Sequence, residues 1–248
     1  MDKEFIISQF HKVKELGYVR SRRPSNTGIG KTFEDYVGVV ENNLSEPDLA
    51  GFEVKSHREK SSSYITLFTK SPSYPKKANS ILKEKYGTKY PEFPKLKKLH
   101  TSIFANRYNS CRGKFMFRLY NDIVEKRIYI QVYSKDYELL DDSCYYTYSD
   151  IKEVIETKLK GLFYVTAKTK VDKKTQKELF WFNKAEIFYN PTLERFIELL
   201  DEGVIMYDIR IGCYHSGSNF GKSHDHGSGF RIMAKNLIDL YEGYETVE

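Results

Sequence analysis

The chain has 248 residues, a formal net charge of +6 and an isoelectric point near 8.9. With 40% hydrophobic and 15% aromatic residues it can bury a sizeable core, which excludes a disordered polymer. No apolar run is long enough to span a bilayer, and the opening MDKEFIISQF is charged rather than leader-like. Three scattered cysteines without a CxxC pair exclude a zinc ribbon and fit a reducing, cytoplasmic setting. The mild basic excess permits a polyanionic partner without requiring one.

The spacing of Phe5, Ile6, Phe10, Val13 and Leu16 predicts an N-terminal helix over 3–16, ended by Gly17. Arg20-Ser21-Arg22-Arg23-Pro24 follows, either a set of phosphate contacts or a solvated loop. Ser25 to Thr32 (SNTGIGKT) imitates a P-loop, but Ser25 stands at the first glycine position and a basic polar run replaces the buried strand. Val204 to Asp208 would complete the imitation as a Walker B strand, so an ATPase binding ATP through Lys31 is one alternative. The preferred alternative keeps the physics and changes the ligand. Gly28 and Gly30 open backbone amides to a DNA phosphate at a helix N-terminus, and Lys31 adds charge.

Phe33, Val37, Val40 and Leu44 predict a helix over 33–44, with Thr32 as N-cap, Asp35 as capping-box partner and Pro47 as stop. Glu34 lies off its apolar stripe. Gly51-Phe52-Glu53-Val54-Lys55 alternates apolar and charged residues, so Glu53 and Lys55 share one face of a strand. A straight chain would hold Asp48 and Glu53 ~16 Å apart, too far to share a metal ion. The segment 49–51 must therefore turn, and Gly51 permits it. Asp48 and Glu53 would then hold one Mg2+, with Lys55 orienting or deprotonating a water, or offsetting phosphate charge, and Glu34 as a second acid. On spacing alone, the same residues also fit the wet face of an ordinary edge strand.

Tyr64 to Lys70 predicts a strand paired antiparallel with 51–57 through the polar loop Arg58–Ser63, placing Thr69 and Lys70 near the cleft. Residues 71–98 are rich in proline and lysine and predict loops and a short helix. Strands over 113–120, 127–134, 162–169 and 178–189, a helix over 150–160 between Ser149 and Gly161, and a helix over 193–202 form scaffold. Trp181 belongs to a core or a lobe interface.

The final block runs from Asp208 to Ile232: DIRIGCYHSG, then GKSHDHGSGFRI. Two strands flank a glycine-rich loop holding three of the six histidines. His215, His224 and His226 with Cys213 suit zinc chemically, but at no standard spacing. A plain polar hairpin is the second alternative. The third is base reading in the major groove by Arg210, His224, His226 and Arg231, with His215 and Lys222 on base or phosphate.

Four blocks, SNTGIGKTFED (25–35), EPDLAGFEVKSH (46–57), TLFTKSP (66–72) and the final block, resemble the MvaI/BcnI family of type II restriction endonucleases. These are relatives of the strand-nicking MutH within the PD-(D/E)XK nucleases. The resemblance implies an α/β fold, α+β by strict count: a restriction-endonuclease-like mixed sheet flanked by helices, in two lobes around a DNA cleft. The expected division is one nuclease domain over 1–248, with a catalytic lobe over about 1–110 and a scaffold and recognition lobe over about 111–248. The resemblance further implies catalytic roles for Glu34, Asp48, Glu53 and Lys55, Mg2+ on Asp48 and Glu53, and DNA contacts from Lys31, Thr69, Lys70, Arg210, His215, Lys222, His224, His226 and Arg231. It implies a monomer that cuts the two strands of double-stranded DNA in turn at a CC-X-GG-like site. It leaves 5′-phosphate ends, uses no nucleotide cofactor, and requires a cognate DNA methyltransferase genetically rather than as a subunit. A MutH-like nicking enzyme and a non-catalytic DNA-binding protein are the alternatives.

Overall fold

Asp2 starts the first helix by accepting the Phe5 N–H at 2.9 Å, and Gly17, at φ 66°, follows its end, as the apolar spacing predicts. The structure is a computed structural model that describes residues 2–39 and 47–248. In chain order its elements are α1 (Lys3–Glu15), β1 (Val19–Arg20), α2 (Gly28–Val37), β2 (Glu53–Arg58), β3 (Tyr64–Thr69), α3 (Ala78–Tyr86), β4 (Thr88–Lys89), β5 (Lys97–Ile103), β6 (Asn109–Cys111), β7 (Phe115–Asp122), β8 (Arg127–Tyr133), β9 (Leu139–Thr147), α4 (Tyr148–Thr157), β10 (Gly161–Val171), β11 (Glu178–Pro191), α5 (Leu193–Asp201), β12 (Met206–Cys213), β13 (Ser223–Asp225), β14 (Gly229–Met233), α6 (Leu237–Leu240) and β15 (Tyr241–Val247). This is a mixed α+β fold, and none of the described helices is long and apolar enough to cross a membrane.

The chain forms two compact units whose segments interleave. The first comprises 1–63, 154–192 and 237–248. Its sheet runs β1-β11-β10-β2, with β15 also on β11, and β2 lies parallel to β10 while the other pairs are antiparallel. Helices α1 and α2 cover one face. Ile6, Phe10, Ile29 and Phe33 pack there against Phe52, Val54, Phe163 and Phe182. The Phe33 ring lies 5.1 Å from that of Phe182 and 6.5 Å from that of Phe163. Truncating such a side chain costs ~3–5 kcal/mol.

The second unit comprises 64–153 and 193–236. One sheet runs β3-β14-β12-β5-β4, with β13 on β12, and the other runs β6-β7-β8-β9. Phe196 of α5 packs on Phe68 and Phe230, and Tyr146 and Tyr207 close the same aromatic core. The strands expected over 113–120 and 127–134 are β7 and β8, paired antiparallel.

Three expectations are corrected. Strands β2 and β3 do not pair; β2 joins β10 in parallel and β3 joins β14. The reason is burial on both faces. Phe52 and Val54 enter the core and Glu53 is itself buried, so the start of β2 is covered on both sides, which suits a parallel crossover rather than a hairpin. Helix α2 starts at Gly28, not Phe33, and ends at Val37, where Gly38 adopts φ 79°. Thr32 is thus interior: its hydroxyl donates to Gly28 O at 2.6 Å and accepts the Arg22 N–H at 2.9 Å. The remainder of the expected helix, residues 40–44, lies outside the described residues. Thr147 rather than Ser149 caps α4, accepting the Asp150 N–H at 3.2 Å, and Gly161 begins a strand.

Candidate active site and nucleic-acid interface

In the first unit the segment before β2 turns as the carboxylate spacing requires. Leu49 and Phe52 exchange both backbone hydrogen bonds, at 3.0 and 2.8 Å, around Ala50 (φ 53°) and Gly51 (φ 85°). Two positive φ values in a two-residue loop define a type I′ turn. The turn carries Asp48 back along the strand, where its Oδ2 accepts the Val54 N–H at 2.9 Å. Glu53 is 1% exposed. Its Oε1 bonds to Lys55 Nζ. Its Oε2 lies 3.5 Å from Lys158 Nζ and accepts no hydrogen bond among the described residues. Burial pushes the Glu53 carboxyl above the usual carboxylate range; Lys55 opposes that shift, and the nearby Asp48 charge adds to it.

The second unit gathers the residues of the final block. Arg210 Nε lies 2.6 Å from Asp208 Oδ2, and the same oxygen lies 2.9 Å from Arg231 Nε. The Arg210 side chain is 50% exposed, whereas that of Arg231 is 9% exposed and also bonds to Thr66 Oγ1 and to Gly227 O at 2.9 Å. His226 donates its backbone N–H to Arg210 O at 2.8 Å. Its ring meets that of His224 at 4.1 Å, and His224 meets Tyr214 at 4.3 Å. Burial, with His224 alongside, pushes the His226 imidazole below its usual range. Cys213 turns away from this group: its thiol faces Lys83 Nζ at 3.3 Å and Lys97 O at 3.4 Å in the interior. The described residues contain no group of three or more His, Cys, Asp or Glu side chains poised to hold a metal ion.

Residues 7–241 match the model of the MvaI/BcnI restriction endonuclease family. The chain belongs to the MvaI/BcnI restriction endonuclease family. Two solved structures are similar at 31% identity: a restriction endonuclease MvaI–cognate DNA substrate complex, with all of both chains covered and a TM-score of 0.91, and MvaI in the absence of DNA, with 100% of this chain and 99% of that chain covered and a TM-score of 0.64. No curated protein matches the chain. As a member of the MvaI/BcnI family the chain is an enzyme, a site-specific deoxyribonuclease with the α+β fold of MvaI.

Within this MvaI/BcnI chain the other singled-out residues are placed as follows. Glu34 sits half-buried on α2, one turn from Gly30. Lys31 on the same helix pairs with Asp35 at 2.9 Å. Gly28 is needed for close packing, because a Cβ there would lie 2.4 Å from Arg23 O. In the second unit Thr69 ends β3 opposite Gly229. Lys70 lies 3.6 Å from both Asp150 and Glu153. His215 packs edge-on to Tyr90 at 4.2 Å, and Lys222 bonds to Asn219 at 3.0 Å.

Lys158 and Asp208 are the residues that sequence spacing missed. Lys158 precedes β10, whose parallel register sets Leu162 beside Glu53 and so brings a lysine remote in sequence to the buried carboxylate. Its only signal is the paired lysines before the apolar run LFYV. Asp208 reads as a Walker B mimic in the sequence; in the fold it is the anchor of two arginines.

Proposed function

We propose that the protein is a type II restriction endonuclease that uses Mg2+ to hydrolyse phosphodiesters of double-stranded DNA at a short CC-X-GG-like site, leaving 5′-phosphate ends. One observation carries this reading: the Ala50-Gly51 turn sets Asp48 over the strand that bears Glu53 and Lys55, giving the acidic and basic groups of a PD-(D/E)XK nuclease. An all-oxygen pair of carboxylates, one with a buried oxygen that accepts no hydrogen bond among the described residues, fits a hard divalent cation. Asp48 and Glu53 would hold Mg2+, which would supply Lewis acidity to the scissile phosphate and to the attacking water.

The chain's own groups do the rest. Lys55, held at Glu53 Oε1, orients the water or offsets charge on the phosphate. Lys158 balances the other Glu53 oxygen, and Glu34 acts as a second acid. Arg210 has its Nε fixed by Asp208, so its terminal nitrogens are free to form a fork on guanine O6 and N7. His224 and His226 extend the donor set on the base edges, and buried Arg231 supports them from beneath through Asp208, Thr66 and Gly227. Lys31, Thr69, Lys70, His215 and Lys222 contact the DNA backbone or neighbouring bases. The full-length similarity to an MvaI chain in complex with cognate DNA supports duplex DNA as the substrate. The protein acts as a monomer that cuts the strands in turn.

The test is incubation of unmethylated plasmid with Mg2+ beside an Asp48→Ala control, followed by sequencing of the ends. Discrete fragments absent from the control support the reading. Nicked circles alone place the protein with MutH-like enzymes, and intact plasmid with DNA bound leaves a binding protein.

A further inference from the structure

The second unit contains a cleft of about 580 Å³, within the ~300–1,000 Å³ range of pockets that enclose organic groups. One side carries Asp208, Arg210 and His226, with His100 on the adjoining strand β5. The other lining comes from the β6–β7 hairpin, through Asn109 and Arg112, which no sequence motif singles out.

Three features of this second lining point to an anionic ligand. The cleft presents two arginines against a single carboxylate, Asp208, which Arg210 already shares with buried Arg231. Burial pushes both His100 and His226 below the usual imidazole range, so near neutral pH they offer hydrogen bonds rather than charge. The excess positive charge therefore rests on the guanidiniums. Second, Arg112 is exposed and makes no hydrogen bond or ion pair among the described residues, unlike Arg210 and Arg231. Third, the hairpin holds Arg112 in place. Arg112 (φ 51°) and Gly113 (φ 65°) form a type I′ turn closed by Lys114 N–H to Cys111 O at 3.2 Å. Asn109 ties the strand to β5 by donating to Thr101 Oγ1 at 2.9 Å.

We propose that the Asn109–Lys114 hairpin is the second wall of the DNA-reading cleft and that Arg112 at its tip binds a backbone phosphate of the duplex whose base edge Arg210 reads. This rests on the restriction-enzyme reading above. The phosphate contact sets register, and the base contact carries sequence information.

The experiment measures binding by fluorescence anisotropy in EDTA, with a duplex bearing a CC-A-GG core and a shuffled duplex, from about 50 to 200 mM salt. Arg112→Asn removes the charge and keeps the left-handed turn. It is expected to weaken both duplexes alike, by about tenfold at the lowest salt, and to flatten the plot of log K against log salt by about 0.9, with an unchanged thermal melt. Arg112→Lys restores most of both. Arg210→Ala is expected to weaken the CC-A-GG duplex alone. An Arg112→Asn protein with wild-type affinity and slope, or one impaired only on the CC-A-GG duplex, overturns the phosphate assignment while the restriction-enzyme reading stands. A wild-type protein that binds neither duplex overturns both.

Discussion

The Asp48 carboxylate accepts the backbone N–H of Val54 at 2.9 Å, so one side-chain contact locks the turned segment onto the strand that carries Glu53. Asp48→Asn keeps an acceptor for that amide and removes the charge. It is expected to bind DNA normally and to cleave plasmid at least about a hundredfold more slowly, a loss of ~2.7 kcal/mol of transition-state stabilisation. Asp48→Ala additionally loses the hydrogen bond, worth ~1 kcal/mol of stability, and is expected to melt earlier. Single-turnover cleavage and thermal melts of the two variants separate charge from scaffold.

The turn itself makes a sharper demand at Gly51 than at Ala50. Ala50→Gly relieves a left-handed alanine at φ 53° and is expected to leave cleavage intact. Gly51→Val forces a β-branched residue to φ 85° and is expected to cost more than ~1 kcal/mol and to reduce cleavage at least about tenfold. Equal activity of the two variants would show that the turn does not position Asp48.

Glu53 is buried at a cost that its two lysines do not fully offset. In metal-free buffer at neutral pH, Glu53→Gln is therefore expected to melt about 2–4 °C higher than wild type. Adding Mg2+ is expected to raise the wild-type melt and to leave the variant unmoved. A variant that melts lower in EDTA would mean that the ion pairs dominate.

Asp208 and Arg210 are expected to separate stability from discrimination. Asp208→Asn leaves buried Arg231 without its carboxylate and is expected to cost ~3 kcal/mol or more in stability, with reduced preference for the recognised duplex. Arg210→Ala removes a half-exposed side chain and is expected to lose about tenfold or more of that preference at an unchanged melt. Competition binding beside differential scanning calorimetry reads both quantities.

Acid sensitivity is expected from a pair far in sequence from either motif. Burial would raise the Asp141 carboxyl, but hydrogen bonds from Lys85, Ser143 and Tyr86 outweigh burial and hold it well below its usual value of 3.8. Its folded value lies below its unfolded one, so its contribution is present above pH 3.8 and is lost as pH falls from there through the depressed folded value. Asp141→Asn is expected to cost about 1–2 kcal/mol at neutral pH, discounted for the half-exposed Lys85, and to flatten the acid limb of the stability curve.

The sequence by itself determined the pieces that depend on local periodicity and local sterics. Helix α1 follows from apolar residues three and four apart, β7 and β8 from alternation, and the turn before Glu53 from the reach of an extended chain with a glycine in it. Pairing partners were beyond its reach. Strands β2 and β3 share the same period of two, and alternation says nothing about which neighbour supplies the hydrogen bonds; burial of both faces at the start of β2 placed it beside β10 instead. The interior place of Thr32 in α2 likewise goes with a tertiary contact, the Arg22 N–H donated to its hydroxyl. For the same reason only the tertiary structure placed Lys158 at the buried Glu53 oxygen, set Asp208 between two arginines, and put Arg112 on the lining of the cleft with Arg210. Charges remote in sequence meet through sheet register, and register is set by which faces the core buries.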